Sequence, residues 1–214
     1  LTPQSGRVPE YKPGQFVFVR IKEDMYPFEE HPYSLITSPQ NPNEIKVAIK
    51  DLGDYTHRMQ ELPVGVEATV EGPYDGVWHV EEKLDNPNEN LILLAGGVGI
   101  TPMLGILEEL SLKKPPNNVM LVWGLNEPGE FAFAEEFDKF KREIPNFTLV
   151  PFFANEKGFL DTQKVQALLQ EHNLLFEESQ FVLCGPKLFM TAVEKALLES
   201  RVQKDSIYYE AFAL

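Results

Sequence analysis

The stretch that decides the fold is Leu94-Ala95-Gly96-Gly97-Val98-Gly99-Ile100-Thr101-Pro102. An apolar run from Leu91 to Ala95 enters a cluster of glycines and leaves it on a segment with helical apolar spacing. Thr101 suits the N-cap of that helix and Pro102 its first helical residue, where the missing N–H is no loss. Free amides and the positive end of the helix then face the loop and suit a pyrophosphate. Glycines between a strand and a helix also serve a plain tight turn, so both readings stand at this point. The spacing is not G-x-G-x-x-G, and the ordinary dinucleotide fingerprint is not met.

Downstream of the loop, strand and helix alternate. The helix Pro102–Leu112 is followed by a strand over Val119–Gly124 and a helix with Phe133, Phe137 and Phe140 on one face. Then come a strand over Phe147–Phe153, a helix over Thr162–His172, a strand over Phe181–Cys184, a helix over Lys187–Ser200 and a last strand over Ile207–Phe212. That order predicts a parallel sheet with helices on both faces. Upstream the rhythm is different. Gln15–Ile21, His31–Thr37, Ile45–Lys50 and Val66–Glu71 read as short strands, the third with Ile45, Val47 and Ile49 on one face. Punctuated by Pro and Gly, they predict an antiparallel β-barrel, with one short helix over Tyr55–Leu62. The polar stretch Asp85–Asn90 is the linker. The expected fold class is two-domain: an antiparallel β-barrel over residues 1–87 and an α/β parallel-sheet domain over residues 88–214.

Composition bounds the partners. The 214 residues carry 19 basic and 33 acidic side chains, a formal net charge of −14, which argues against a nucleic acid partner. A single cysteine, Cys184, rules out an internal disulfide or a Cys-rich metal cluster. The four histidines, His31, His57, His79 and His172, have no metal-ligand spacing, and no metal site is expected. The longest apolar stretch, Leu91–Ile106, is interrupted by the glycine loop, Thr101 and Pro102, whereas a membrane span needs roughly 20 predominantly apolar residues. The opening Leu1-Thr2-Pro3 stands close to a strand and reads as the start of an excised piece of a longer chain.

Three more motifs carry candidate chemistry. His31-Pro32-Tyr33-Ser34 sets an aromatic beside a hydroxyl, which could stack on a flat ring and bond its edge, or could be a packed Tyr with a Ser at a barrel rim. Lys50 to Arg58 is either a phosphate-holding helix start, with Thr56 at hand, or a capped helix. Cys184-Gly185-Pro186 ends a strand before a helix; its cysteine is either a small buried hydrophobe or part of a ligand edge. Near the end, Tyr208–Leu214 includes Phe212, a tethered core residue or a lid over something flat.

Taken in order along nearly the whole chain, these motifs resemble the ferredoxin–NADP reductase superfamily. His31-Pro32-Tyr33-Ser34 and the late aromatic look more narrowly like the dehydrogenase domain of bacterial NADPH oxidases and ferric reductases. The resemblance implies FAD on residues 1–87 and NADPH or NADH on residues 88–214, with hydride passed from one to the other. It places Tyr33 and Ser34 at the isoalloxazine, His31 (after which comes Pro32) toward the FAD phosphates, and Lys50, Gly53 and Thr56 at the pyrophosphate. Gly96, Gly97, Gly99, Thr101 and Pro102 match its nicotinamide-dinucleotide loop, and Cys184, Gly185 and Pro186 the turn beside the nicotinamide. Phe212 would lie on the flavin and move aside in each turnover, so that Ser34, Cys184 and Phe212 surround the reacting atoms. The partner it implies is a haem-containing transmembrane domain of the same polypeptide, which places the fragment, itself soluble, at the cytoplasmic face of the cell membrane and ends in superoxide formation. A soluble flavin or ferredoxin reductase, a ferric reductase, and a flavin-binding module without activity are the alternatives. The segment Trp123-Gly124-Leu125-Asn126-Glu127 departs from strict NADPH users, which place an Arg there; an acid at that point disfavours a 2′-phosphate.

Overall fold

In the computed structural model, which describes residues 1–4, 6–24, 26, 28–41, 43–74, 86 and 88–211, the apolar run before the glycine loop is the middle of a sheet. Strand β4 (Asn90–Gly96) is buried along its whole length. It pairs in parallel with β5 (Val119–Leu125) on one side and β7 (Ser179–Gly185) on the other. β6 (Phe147–Phe153) and β8 (Ile207–Ala211) complete the parallel order β6-β5-β4-β7-β8. A strand covered on both faces has no need of alternation, which is why Leu91–Ala95 is apolar without a break. Leu91, Leu93 and Ala95 face helices α2 (Ile100–Lys113) and α3 (Ala134–Glu143), where Phe137 and Phe140 are fully buried. Burying each of those rings contributes about 2 kcal/mol. Ile92 and Leu94 face α5 (Thr162–Glu171) and α6 (Lys187–Glu199) on the other side; the short α4 (Ala154–Lys157) follows β6. Asp161 caps α5, its carboxylate accepting the Lys164 amide at 3.0 Å.

The first half holds the antiparallel sheet β2-β1-β3, made of β1 (Phe16–Ile21), β2 (His31–Ser34) and β3 (Ala68–Tyr74). Val17, Val19 and Ile21 point to a core shared with Tyr11, Leu35 and Ile45. Helix α1 spans Asp54–Met59. Three expectations need correction here. β2 stops at Ser34, three residues early, because Leu35 leaves the ladder to bridge Val47. Ile45–Lys50 is not a regular strand: beyond that bridge it is held by single bonds, Ile36 N–H to Lys46 and Ile45 N–H to Leu1. β3 starts later than expected and continues through Gly72-Pro73, since its outer side carries no described partner and Pro73 forfeits no bond there. The expected barrel extends over residues 75–85, which lie outside the described residues.

The halves meet where α2 crosses the end of β2. A Cβ built on Gly105 would stand 2.5 Å from the Leu35 carbonyl oxygen, so only glycine lets the helix lie against that strand end. Ile36 packs onto the core beneath α2. Beside it runs a buried polar chain: the Tyr11 hydroxyl meets Thr37 Oγ1 at 2.8 Å and donates to Ser38 O, and Ser38 Oγ donates to Glu109 of α2 at 3.3 Å. Burial, chiefly, raises the Tyr11 pKa above that of a free phenol, so the hydroxyl remains a donor.

Candidate functional site

The sheet order reverses between β4 and β7, and in such sheets ligands bind in the crevice outside the carboxyl ends of the strands at that point. The glycine loop stands there. Gly97–Gly99 form a 3₁₀ turn that passes directly into α2 at Ile100. Thr101 is therefore not the N-cap: Gly99 holds that position, and Thr101 Oγ1 donates back to Val98 O at 3.1 Å. Pro102 is accordingly the third helical residue rather than the first, still in the first turn, where its lack of an N–H costs no bond.

The glycines of this edge have different tasks. Gly97 has φ +52°, and a Cβ there would meet nothing within 4 Å, so its backbone lies open to the crevice. Its carbonyl accepts the Trp123 indole N–H at 2.9 Å, which ties the loop to the Trp123–Phe131–Phe137 aromatic cluster. Gly99 is closed in: a Cβ would lie 2.2 Å from Cys184 O. Gly96, Gly124 and Gly185, at the ends of β4, β5 and β7, all face the ring of Phe189, at 2.8, 3.3 and 2.9 Å from built Cβ atoms. Phe189 lies on the first turn of α6, just past Pro186, the residue before that helix. Cys184 is fully buried in the core under α2, so the structure places its thiol among apolar side chains rather than at an open edge.

On the other half, period-two alternation puts His31 and Tyr33 on one face of β2 and Pro32 and Ser34 on the opposite one. Ser34 is 2% exposed and its hydroxyl has no hydrogen-bond partner among the described residues. Leaving such a group unmet costs about 1–3 kcal/mol, which makes Ser34 a candidate to meet a polar edge that the described residues do not supply. Ser34 stands opposite Phe16, which belongs with Phe18 and Tyr74 to one cluster of rings with centroids 5.5–5.8 Å apart. Tyr33 is half-buried; burial first, then Tyr55, pushes its phenol up to about 12, and its hydroxyl reaches Met59 Sδ at 3.6 Å. The His31 ring lies 4.1 Å from that of Tyr55, tilted by 45°, and bonds Glu29 at 3.2 Å.

Lys50, Gly53 and Thr56 lie on the approach to α1, its N-cap and its first turn, but are engaged within the protein. Thr56 Oγ1 accepts the amides of Leu52 and Gly53 and donates to Gly53 O. Lys50 Nζ reaches Glu130 of the other half at 3.2 Å. His57, held by Asp51 at 2.8 Å, titrates above its ordinary range for that reason. Phe212 lies outside the described residues. Phe189, Trp123, Phe16, Phe18 and Glu130 were not singled out from sequence as site residues; the Phe-x-Phe alternation of β1 was the one local signal available.

An antiparallel half with an unmet hydroxyl is joined to a parallel half with an open glycine loop, an arrangement suited to a flavin and a nicotinamide nucleotide. Residues 2–93 match the family described as FAD-binding domain, and residues 93–195 match the oxidoreductase NAD-binding domain. The chain has a two-domain fold like that of ferredoxin–NADP reductases, with an FAD-binding and an NAD-binding domain, and its cofactors are FAD and a nicotinamide nucleotide. A flavohemoprotein of Rhizobium meliloti is 27% identical over 228 aligned positions, covering 97% of this chain and 54% of that protein. The structure of a Malassezia yamatoensis flavohemoglobin with bound FAD and haem superposes with a TM-score of 0.74 at 24% identity, over 94% of this chain and 52% of the other. The flavohem-like FAD/NAD-binding domain of a Vibrio cholerae nitric oxide dioxygenase gives 0.73 at 24% identity, over 99% and 90%. The chain thus spans about half the length of the curated relative it matches. These relatives are flavohemoproteins, whereas the motif reading leaned to NADPH oxidases. Among the described residues no helix is long and apolar enough to cross a membrane.

Proposed function

We propose that this chain is the reductase part of a longer flavoprotein, oxidising NADH or NADPH and delivering electrons to a haem outside the 214 residues. The observation that carries this reading is the abutment of β2, with the unmet Ser34 hydroxyl, on the helix that leaves the open glycine loop. Haem as acceptor follows from the flavohemoglobin relative, which holds FAD and haem together. A transmembrane haem domain with superoxide as product rests on His31-Pro32-Tyr33-Ser34 and the late aromatic Phe212 and is the second reading.

In this reading residues 1–87 hold FAD and residues 88–214 the nicotinamide nucleotide. When bound, the nicotinamide supplies a hydride and the flavin takes it up and releases electrons onward. Ser34 offers a hydroxyl to the polar edge of the flavin, and Tyr33, neutral at any physiological pH, supports the ring beside it. The loop Gly96–Gly99 approaches the dinucleotide backbone through Gly97, with Thr101 and Pro102 shaping the helix start. Cys184 and Gly185 set the crevice floor against Gly99, and His31, Lys50, Gly53 and Thr56 stand on the flavin side. Phe212 excludes water from the flavin and yields to the nicotinamide.

An anaerobic titration of the FAD-loaded chain with NADPH and then NADH tests the reading: bleaching of the flavin band is expected, and a band unmoved by both donors would overturn it. Ser34→Ala should have opposite effects on the two states. It removes an unmet buried hydroxyl from the free chain, raising its stability by about 1 kcal/mol, while weakening FAD several-fold. Thermal unfolding of the free chain and a flavin fluorescence titration check both signs. Phe212→Ser should tighten oxidised nicotinamide nucleotide binding and change the rate of flavin reduction in stopped flow; an unchanged rate removes Phe212 from the site.

A further inference from the structure

Helix α2 meets the flavin-binding half at two points, one helical turn apart. Gly105 lies against the Leu35 carbonyl, and Glu109, about 6 Å farther along the axis, accepts from Ser38 Oγ at 3.3 Å. Glu109 is only 7% exposed, and its other oxygen, Oε1, meets Lys113 Nζ at 3.4 Å. A packed apolar side chain would stabilise such a place at least as well as a buried carboxylate, so stability alone does not account for it. What it orients is more informative. Ser38 Oγ accepts the Gln40 amide at 3.1 Å, which directs the single hydroxyl proton to Glu109. The Ser38 carbonyl is held in turn by the Tyr11 hydroxyl at 2.9 Å, and Tyr11, Thr37 and Ser38 are all buried. Contact at Gly105 alone would leave the helix free to pivot about that point; a second, polar contact one turn on removes the freedom. The two ligand edges stand at the ends of this arrangement. α2 starts at the glycine loop, with Gly99 its N-cap, and β2 ends at Ser34, next to Leu35. A pivot of about 10° at Gly105 would carry the helix start, about 9 Å away, through about 1.5 Å. The other ion pair between the halves, Lys50–Glu130, lies at the surface, where such pairs add little.

We propose that Glu109 is a positioning residue for flavin reduction. By accepting from Ser38 it fixes the angle of α2 against the end of β2, and with it the place of the glycine loop relative to the flavin edge at Ser34. Glu109 touches neither cofactor and acts through the helix. A misplacement of 1 Å between reacting groups can cost roughly 100-fold in rate, so a small pivot matters to the transfer long before it matters to binding. This inference rests on the NAD(P)H and FAD reading above.

The test uses the whole FAD-loaded chain with Glu109→Met, Glu109→Gln, Ser38→Ala, and Glu109→Met combined with Ser38→Ala. Methionine has a similar length but takes away the oxygen acceptor, whereas glutamine keeps one. Flavin reduction is followed in stopped flow at saturating NADPH or NADH, whichever bleaches wild type faster, and again with the donor deuterated at the transferring carbon. Calorimetry with the oxidised nucleotide, thermal unfolding, and hydrogen exchange over residues 35–47 run alongside. Glu109→Met and Ser38→Ala are each expected to slow reduction by about tenfold or more and to raise the isotope effect, with nucleotide and FAD affinities unchanged. Exchange over residues 35–47 should quicken in both. Glu109→Gln should stay close to the wild-type rate, and the double variant should be no slower than either single one, since both remove the same bond. Lower melting temperatures with unchanged reduction rates and isotope effects would make the bond structural only and overturn the proposal. A Glu109→Gln variant as slow as Glu109→Met would assign the effect to the charge facing Lys113, and additive losses in the double variant would assign it to two separate causes; either result overturns it. Loss of FAD from the variants would assign the pair to flavin retention and overturn it as well. If neither nucleotide bleaches wild type, the NAD(P)H reading itself fails and takes the inference with it.

Discussion

Gly99→Ala is expected to abolish binding of the nicotinamide nucleotide and to lower the thermal stability of the chain. The backbone of Gly99, with φ −59° and ψ −4°, suits alanine well, so no torsional argument protects it. The obstacle is space. The new methyl would lie 2.2 Å from Cys184 O, 2.4 Å from Cys184 C and 2.7 Å from Gly185 N. All three are backbone atoms, and β7 is paired along both its edges, with β4 and with β8. No side chain can rotate away, so either the glycine loop or the end of β7 must move. Overpacking of this kind costs about 1–3 kcal/mol or more. Gly97→Ala is the informative comparison: its methyl meets open space, and its left-handed backbone costs alanine only about 1–2 kcal/mol. Thermal unfolding should therefore rank wild type above Gly97→Ala, and Gly97→Ala above Gly99→Ala. A calorimetric titration with NADP⁺ and NAD⁺ should find no binding by Gly99→Ala. Wild-type affinity in that variant would show that the loop yields freely and that its approach to Cys184 does not shape the site.

Gly105→Ala is expected to damage flavin binding from a position in the middle of a helix. Within a helix, alanine is favoured over glycine by about 1 kcal/mol, so the substitution would ordinarily stabilise. Here the methyl would stand 2.5 Å from the Leu35 carbonyl oxygen, with the next nearest atom at 3.6 Å. The helix must then retreat from the end of β2. Ser34 is the residue before Leu35, and the Ser38–Glu109 bond, already 3.3 Å long, lies along the same seam. The variant should therefore lose FAD affinity and unfold at lower temperature, and flavin fluorescence with a melting curve measures both. A gain in stability with FAD bound as in wild type would mean that the two halves are not held this closely.

Much of the nucleotide-binding half was legible because each of its buried strands carries its apolar run within itself and ends at Gly or a polar turn. Phe137 and Phe140 announced the buried face of α3 by spacing alone. Ile45–Lys50 misled for the converse reason: its alternation is real, with Ile45 buried, but a strand also needs a neighbour to pair with along its length, and among the described residues only scattered contacts with Leu1, Leu35 and Ile36 meet it. Thr101 looked like a cap because the 3₁₀ turn of Gly97–Gly99, which moves the helix start forward, depends on contacts with β7 and Trp123 far along the chain. The motif His31–Ser34 pointed to a hydroxyl, and only the fold shows that the Ser34 hydroxyl is buried and unmet. Phe189 gave no local signal, since it matters through Gly96 and Gly124 at the ends of strands far along the chain.

The ring of Phe189 binds the fate of Gly96 and Gly124 to its own. Gly96 and Gly124 are small because one aromatic side chain lies against the ends of their strands, not because either needs the freedom of glycine; Gly185 faces the same ring but also has φ +157° and the Gly96 backbone at 3.0 Å from a built Cβ. In inheritance Gly96, Gly124 and Phe189 form one unit. A β-carbon gained at 96 is admissible only in a lineage that has already trimmed residue 189, and a larger ring at 189 is admissible in none that keeps the present strand spacing. A mutational survey taken one position at a time would record 96 and 189 as separate intolerant sites, whereas a survey of pairs would find one constraint with a way around it, and 185 would stay closed in both.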